Sequence, residues 1–158
     1  MSRPNHPPSA LPDLDCVCAT VRRAARVVTQ LYDEELRERL PASQFALLSA
    51  IDSHPGANQK LIARALAFEK TTLSRNLTLL ERKGWIVQAK TTDQRERAFR
   101  MTRAGKARLA AARPAWKLAQ DRLRSAMTGQ QWQDTWTALR TLTNAAHQAS
   151  DPGAQDDV

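Results

Sequence analysis

The sequence has little of what marks several large classes of protein. Two cysteines in 158 residues cannot build a disulfide framework. No apolar run approaches the ~20 residues that a membrane-spanning helix requires, and residues 1–12 lack the apolar core of a secretory signal. We therefore expect a cytoplasmic protein that does not associate with a membrane.

Recognisable catalytic motifs are also missing. The sequence has five glycines and shows no glycine-rich phosphate loop, no nucleophile elbow and no paired catalytic carboxylates. Its three histidines, His6, His54 and His147, have no metal-ligand spacing with Cys16 and Cys18. We therefore expect no catalytic residues, no metal and no cofactor, and the protein is predicted not to be an enzyme.

Charge of one sign is in excess and is concentrated in one segment. The formal net charge is +8. Residues 60–124 hold 17 basic and 5 acidic residues, a net charge of +12, whereas the remainder of the chain has a net charge of −4. A basic segment in an otherwise acidic chain suggests a surface for a polyanion, and nucleic acid is the leading candidate. The alternatives are an anionic membrane, which fits a varied segment less well, and a solvated arginine-rich surface.

Long helical patterns lie at both ends of the chain. Residues 1–12 hold four of the eight prolines and predict a disordered arm, and residues 151–158 predict a loose tail. Between residues 13 and 40, apolar positions recur at steps of three and four, which is typical of one face of a helix. Residues 103–150 predict two more helices. The first helix is too apolar to stand alone, so we expect these segments to form a dimerisation region or a helical bundle.

The middle of the chain, residues 41–102, has the pattern of a winged helix-turn-helix lobe. Ser43 and Asn58 are predicted to cap two of its helices. After a short turn at residues 67–69, a further helix runs until Gly84, a favourable residue just beyond a helix end. Two short β-prone segments with a charged tip then predict a hairpin. The fold class is therefore mainly α, with a winged helix-turn-helix lobe between long N- and C-terminal helices.

The second helix of this motif carries the side chains that suit DNA. Leucines anchor it, which leaves a polar face for the major groove. Hydroxyls, an amide and basic groups are the side chains that bind phosphates and base edges. The predicted DNA contacts on this helix are Lys70, Thr71, Thr72, Ser74, Arg75 and Asn76. An ordinary solvated helical hairpin is the alternative structure, and a non-specific nucleoid or RNA-binding protein is the alternative function.

Several segments resemble the MarR family of bacterial transcriptional regulators, over roughly residues 13–148. They are Ile62-Ala63-x-x-Leu66, Lys70-Thr71-Thr72-Leu73-Ser74-Arg75-Asn76-Leu77, Leu80-Glu81-Arg82-Lys83-Gly84, Asp93-Gln94-Arg95-Glu96-Arg97 and Met101-Thr102-x-x-Gly105. The resemblance implies a homodimer with interleaved terminal helices and two winged lobes on a palindromic operator in double-stranded DNA. It also implies a repressor that a small phenolic molecule or oxidation releases. Ala67 stands where the family often has glycine.

The family's Asp-x-Arg pattern in the wing falls on Asp93 and Arg95. A wing arginine such as Arg95 suits a narrow A·T-rich minor groove, where the negative potential is deepest. Asp93 cannot assist phosphate binding, so we expect it to pair with a nearby arginine and hold the hairpin rigid. The alternative for Asp93 is a turn former. Arg97 is either a further phosphate contact or a surface charge.

A branch of the family that senses organic hydroperoxides has a reactive cysteine near the start of its first long helix, and Cys18 lies in a similar place. On a continuous helix Cys16 would point about 200° away from Cys18, so the two thiols would be poorly placed to bond each other. Cys18 is therefore either a redox sensor or a packed hydrophobe. Cys16 is either a resolving thiol or a bystander.

Ligand pockets of the family lie between the dimerisation helices and the winged lobe. By this resemblance, Arg22, Arg26, Tyr32 and Phe45 are the predicted lining of a pocket for a small effector. An arginine at that place would pair with a carboxylate on the effector.

Overall fold

The computed structural model describes residues 15–37, 39–90 and 97–150 of the chain. In chain order, the elements of these residues are α1 (Val17–Leu36), α2 (Ala42–Ser53), α3 (Gln59–Leu66), α4 (Lys70–Arg82), β1 (Ile86–Ala89), β2 (Ala98–Met101), α5 (Arg103–Ser125) and α6 (Gly129–Ser150). The predicted fold class is confirmed, because three shorter helices and a β-hairpin lie in chain order between long helices. None of the described helices is both long enough and apolar enough to cross a membrane.

The chain divides into two compact units, Met1–Trp116 and Lys117–Val158. The first unit holds the winged lobe, formed by α2, α3, α4 and the hairpin. The predicted arm, the predicted tail and the charged hairpin tip with Asp93 and Arg95 lie outside the described residues.

The first helix is shorter than the sequence predicted, and the next one is capped differently. α1 ends at Leu36, and α2 begins after Pro41, whose side chain makes no capping hydrogen bond. A carboxylate oxygen of Asp33 instead accepts a hydrogen bond from the backbone N–H of Ala42 at 2.7 Å. The prediction that Ser43 caps α2 is therefore wrong, because Ser43 lies inside the helix and a residue of α1 satisfies the free N–H group.

The helix-turn-helix was predicted from residues that cap or end its helices, and the structure confirms this motif. The side chain of Asn58 accepts a hydrogen bond from the N–H of Leu61 at 2.8 Å and caps α3. Ala67 ends α3 in the left-handed conformation, with φ 50° and ψ 35°, and α4 begins after a turn of three residues. A residue with a Cβ is strained in that conformation. At the end of α4, Gly84 has a φ of 68°, as its predicted position requires.

The second strand of the hairpin is hydrogen-bonded on both edges, and one of these edges joins the hairpin to the rest of the lobe. β1 and β2 pair antiparallel from Ile86↔Met101 to Ala89↔Ala98. The free edge of β2 pairs with the connection between α2 and α3, since the N–H of Phe99 donates to the carbonyl of Ala57 at 3.1 Å. The position of the hairpin is thus fixed relative to the helix-turn-helix.

The core of the first unit is built from the apolar faces of all these elements. The leucines predicted to anchor α4 are fully buried. The largest side chains exposed by 2% or less in this core are Leu36, Leu40, Leu47, Leu48, Ile51, Ile62, Leu73, Leu77, Leu80, Ile86, Phe99 and Leu109. Burying this apolar surface is the main stabilisation of the lobe.

Thr102 and Gly105 join the hairpin to α5. The hydroxyl of Thr102 accepts a hydrogen bond from the N–H of Gly105 at 3.0 Å and donates to the carbonyl of Gly84 at 2.6 Å. A Cβ on Gly105 would lie 2.0 Å from the carbonyl oxygen of Trp85. The spacing Thr102-x-x-Gly105 therefore serves both to cap the helix and to admit a close backbone.

The second unit contains α6, whose first residue is Gly129. Its start is a capping box, in which the hydroxyl of Thr128 accepts from the N–H of Gln131 and the Gln131 side chain accepts from the N–H of Thr128. The rings of Trp132 and Trp136 meet edge to face at 6.0 Å.

Candidate nucleic-acid interface

One face of α4 is buried and the opposite face is polar and exposed. Thr71, Arg75, Thr78 and Arg82 follow one another at steps of four, three and four, so they form one ridge along the helix. All four are exposed, as are Lys70 and Thr72 beside them. A polar ridge with two arginines on a helix anchored by leucines is the arrangement that major-groove binding requires.

Not every side chain predicted to contact DNA is equally accessible on α4. Ser74 and Asn76 are only partly exposed. The amide nitrogen of Asn76 donates to the carbonyl of Thr72 at 3.1 Å, and the hydroxyl of Thr78 donates to the carbonyl of Ser74 at 2.9 Å. The first of these local bonds involves the Asn76 amide, which the sequence suggested for a base contact. Arg82 was missed, although its spacing from Arg75 is two turns of a helix.

Arg97 follows the hairpin tip and is already paired within the lobe. Its Nη2 donates to Oε2 of Glu81 at 2.8 Å, and the two side chains are 39% and 24% exposed. The guanidinium also lies over the ring of Phe99, 5.3 Å from the ring centre. A pair with Glu81 was not among the two roles predicted for Arg97, and the pairing predicted for Asp93 lies outside the described residues.

Two more cations, one at the end of α4 and one on α5, stack on the ring of Trp85 beside the hairpin. The Nζ of Lys83 lies 4.5 Å from the centre of the Trp85 ring, and the guanidinium of Arg108 lies 5.5 Å from it. Lys83 also donates to the side chain of Gln44 at 3.2 Å. This stacking holds positive charge at the C-terminal end of α4, since cations are attracted to the faces of aromatic rings.

A groove of about 560 Å³ lies between α1 and α2, and we call it the α1–α2 groove. Its lining residues are Val28, Thr29, Tyr32, Leu36, Ala42, Phe45, Ala46, Ser49, Ala50, Ser53, His54, Ala65, Leu66 and Trp116. The rings of Phe45 and Trp116 stack with centres 5.6 Å apart. Burial raises the pKa of the Tyr32 phenol above its ordinary value. The volume and the apolar walls suit a small organic ligand.

The groove contains Tyr32 and Phe45, as predicted, but not the two predicted arginines. Arg22 and Arg26 are exposed on α1, and Arg26 lies on a shallow part of the α1 surface with Thr29. Six residues separate Arg26 from Tyr32, which corresponds to a net rotation of about 120° around the helix. Arg22 and Arg26 are thus not among the residues that line this groove, and the pairing of an effector carboxylate with either of them stays a prediction.

The two cysteines are placed differently from the prediction. Cys16 precedes α1 in an extended conformation, and Cys18 lies in the first helical turn. Both thiols are exposed, so Cys18 is not a packed residue within this chain. Because Cys16 is outside the helix, the rotation of about 200° that was expected to separate the two thiols does not apply.

Comparisons with known proteins agree with this geometry. Residues 40–96 match the model of the MarR family. The M. tuberculosis transcriptional regulator MosR, solved in complex with DNA, is 32% identical with a TM-score of 0.77, covering 85% of this chain and 98% of that one. The transcriptional repressor CouR, bound to a 23-mer DNA duplex, is 25% identical with a TM-score of 0.73, covering 82% and 93%.

A third structure, PcaV from Streptomyces coelicolor with its natural ligand, shows likeness in fold at 19% identity. Its TM-score is 0.76, and the alignment covers 87% of this chain and 99% of that one. No curated protein matches the chain. The fold and the exposed ridge define a winged helix-turn-helix protein. The chain belongs to the MarR family of transcriptional regulators.

Proposed function

We propose that the protein represses transcription as a homodimer on a palindromic operator and that a small aromatic ligand releases it. The single observation that carries DNA binding is the exposed ridge of α4, with Arg75 at its centre. In the proposed complex, Lys70, Thr71, Thr72, Ser74, Arg75 and Asn76 contact the major groove, and Arg95 enters the minor groove. Two relatives of at least 25% identity were solved with DNA, which supports this reading.

Dimerisation is supported by the apolar side chains that α1 and α6 leave exposed. Val17 and Val27 on α1 are 63% and 58% exposed, and Trp136 and Leu139 on α6 are 46% and 47% exposed. Large exposed apolar surfaces mark interaction sites. We propose that the terminal helices of two copies cover these side chains and set the distance between two recognition helices.

Selection from a random-sequence DNA library tests the DNA-binding proposal. We expect the wild type to enrich a palindromic sequence whose half-sites lie about one helical turn apart. On the selected duplex, Arg75→Ala should weaken binding by roughly 10- to 100-fold and relax specificity at one base pair. Arg39→Ala is the matched control, because it removes the same charge from an exposed position between α1 and α2. Enrichment of no sequence at all would favour the non-specific nucleoid or RNA-binding alternative.

The ligand proposal rests on the α1–α2 groove. Its polar groups include the phenol of Tyr32 and the imidazole of His54, set among apolar walls. We propose a small phenolic or other aromatic effector that stacks against Phe45 and Trp116. A panel of simple phenols should release the operator, and Phe45→Ala should raise the concentration that is needed. Release that is unaffected by Phe45→Ala would place the effector elsewhere.

Oxidation is the second candidate signal, favoured by the exposure of both thiols at the start of α1. A peroxide that transfers oxygen to the Cys18 thiol leaves a sulfenic acid and water or an alcohol. We expect dilute peroxide to release the wild type but not Cys18→Ser, with Cys16→Ser deciding whether the second thiol takes part. A wild type that stays bound after peroxide would leave the small molecule as the signal.

A further inference from the structure

The wing and the recognition helix are linked by one described ion pair, between Arg97 and Glu81. Glu81 lies in the last turn of α4, and Arg97 is the residue from which the hairpin tip returns to the lobe. The backbone carbonyl of Arg97 also accepts a hydrogen bond from the N–H of Gln59 at 2.8 Å. Arg97 is thus held at once by α4, by the start of α3 and by the ring of Phe99.

We propose that Glu81 and Arg97 form a positioning pair, which fixes the returning strand of the wing against the recognition helix. Arg97 in this role does not contact phosphate. It sets the spacing at which α4 and the wing reach the same DNA. This inference rests on the proposed function, because a fixed spacing matters only if both elements contact one duplex.

The electrostatics of the pair favour positioning over a phosphate contact. The Glu81 carboxylate lies 2.8 Å from the guanidinium, so a phosphate that approaches Arg97 would also meet a negative charge. The arginine's planar fork suits a carboxylate held at one side. A partly exposed ion pair contributes little to folding, so its removal should leave the lobe folded and change mainly its geometry.

The two roles predict opposite signs for the removal of the carboxylate. If Arg97 positions the wing, Glu81→Gln weakens DNA binding, because the returning strand is no longer held. If Arg97 contacts phosphate, Glu81→Gln strengthens binding, because it frees the guanidinium and removes a repulsive charge. Glu69→Gln is the matched control for charge, since Glu69 is an exposed carboxylate next to the same helix and its side chain makes no capping hydrogen bond.

A double-mutant cycle on the selected duplex tests the pair. We expect Glu81→Gln and Arg97→Gln each to weaken binding by roughly 3- to 10-fold, and the double variant to be no weaker than either one. The exchanged pair, Glu81→Arg with Arg97→Glu, should recover part of the loss. Arg100→Gln, at an exposed arginine of the same strand, controls for the lost positive charge.

The salt dependence gives a second readout that a loss of stability would not move. A positioning pair requires that both single variants have the same slope of log affinity against log salt. A phosphate contact requires that Arg97→Gln alone lowers this slope by about 0.9. Additive losses, a different slope for the two variants, or tighter binding by Glu81→Gln than by Glu69→Gln would overturn the inference. A wild type that does not distinguish the selected duplex from a shuffled one would overturn the proposed function as well.

Discussion

The winged lobe and the terminal helices use their apolar residues in opposite ways. In the lobe, large side chains such as Leu77 and Phe99 are completely buried by their own chain. On α1 and α6 the large apolar side chains of Val27, Trp136 and Leu139 are about half exposed. Leu36 is the one buried residue among those described on α1, and α6 has none.

The difference distinguishes the part of the chain that is stable by itself from the part that presents apolar surface to a partner. The core of the lobe, with Leu36 and Leu109 from the flanking helices, is covered by its own chain, and β2 is hydrogen-bonded on both edges. The stability of the lobe should therefore not depend on the protein concentration. The terminal helices keep their amphipathic pattern without covering it, which is expected of helices that pack against a partner. Substitutions in the two regions should therefore differ in what they change, which is folding in the lobe and association in the terminal helices.

The largest effect is expected in the lobe core. Leu77→Ala should lower the free energy of unfolding by about 2–5 kcal/mol, because it leaves a cavity at a fully buried position of α4. Chemical denaturation at two protein concentrations measures it, and the loss should be the same at both. Thr78→Ala, at the exposed neighbour, should change the free energy by less than about 0.5 kcal/mol. Equal losses for the two variants would contradict the assignment of the α4 faces.

The next effect concerns the terminal helices. Leu139→Asp should weaken the proposed dimer by roughly 100-fold, about 2.7 kcal/mol, because it places a charge on a surface that a partner would cover. Analytical ultracentrifugation across a dilution series measures the dissociation constant. The control is Thr141→Asp, since two residues along a helix rotate the side chain by about 200°. Dimers of equal strength in both variants would mean that this face of α6 is not the interface.

A smaller loss is expected at the joint between the hairpin and α5. Gly105→Ala should lower the free energy of unfolding by about 1–3 kcal/mol, because the new Cβ would meet the carbonyl oxygen of Trp85. Gly129→Ala makes the same change in the first turn of α6, where nothing lies within 4 Å of the new atom. That control should be neutral or slightly stabilising. A stabilising Gly105→Ala would show that the backbone at Trp85 yields without cost.

The smallest expected effect is an increase in the free energy of unfolding. Ala67→Gly should raise the free energy of unfolding by up to about 1 kcal/mol, because glycine adopts the left-handed conformation without steric cost. Part of that gain is offset by the greater freedom of glycine in the unfolded chain. Ala65→Gly, two residues earlier inside α3, should instead cost about 1 kcal/mol. Thermal denaturation of both variants compares the signs directly, and a destabilising Ala67→Gly would contradict the strain at this turn.

The parts of the fold that the sequence predicted are those with local signals. Asn58 as a cap, Gly84 beyond a helix end and the leucine spacing of α4 each depend on residues within one or two turns. The prediction failed where a distant residue intervened. Asp33 on α1 caps α2, and nothing in the local pattern around Ser43 shows that its place is already taken.

The sequence predicted which residues belong to the candidate site better than it predicted where their side chains lie. The exposed ridge around Arg75 follows from helical spacing, and Arg82 belongs to it by the same rule. The pair of Arg97 with Glu81 depends on the hairpin folding back onto α4, which the sequence does not encode as a motif. Arg26 and Tyr32 were assigned to one pocket by the family resemblance, but only Tyr32 lines the α1–α2 groove.

Sequence-specific DNA binding by the α4 ridge is measured by the ratio of two dissociation constants. The wild type is titrated at about 150 mM salt with the selected duplex and with a shuffled duplex of the same composition. A sequence-specific regulator that reads DNA with the α4 ridge should prefer the selected duplex by roughly 10³-fold or more, and Arg75→Ala should reduce that ratio. A ratio near one for the wild type would contradict the account, because it would show a basic surface that binds nucleic acid without reading it.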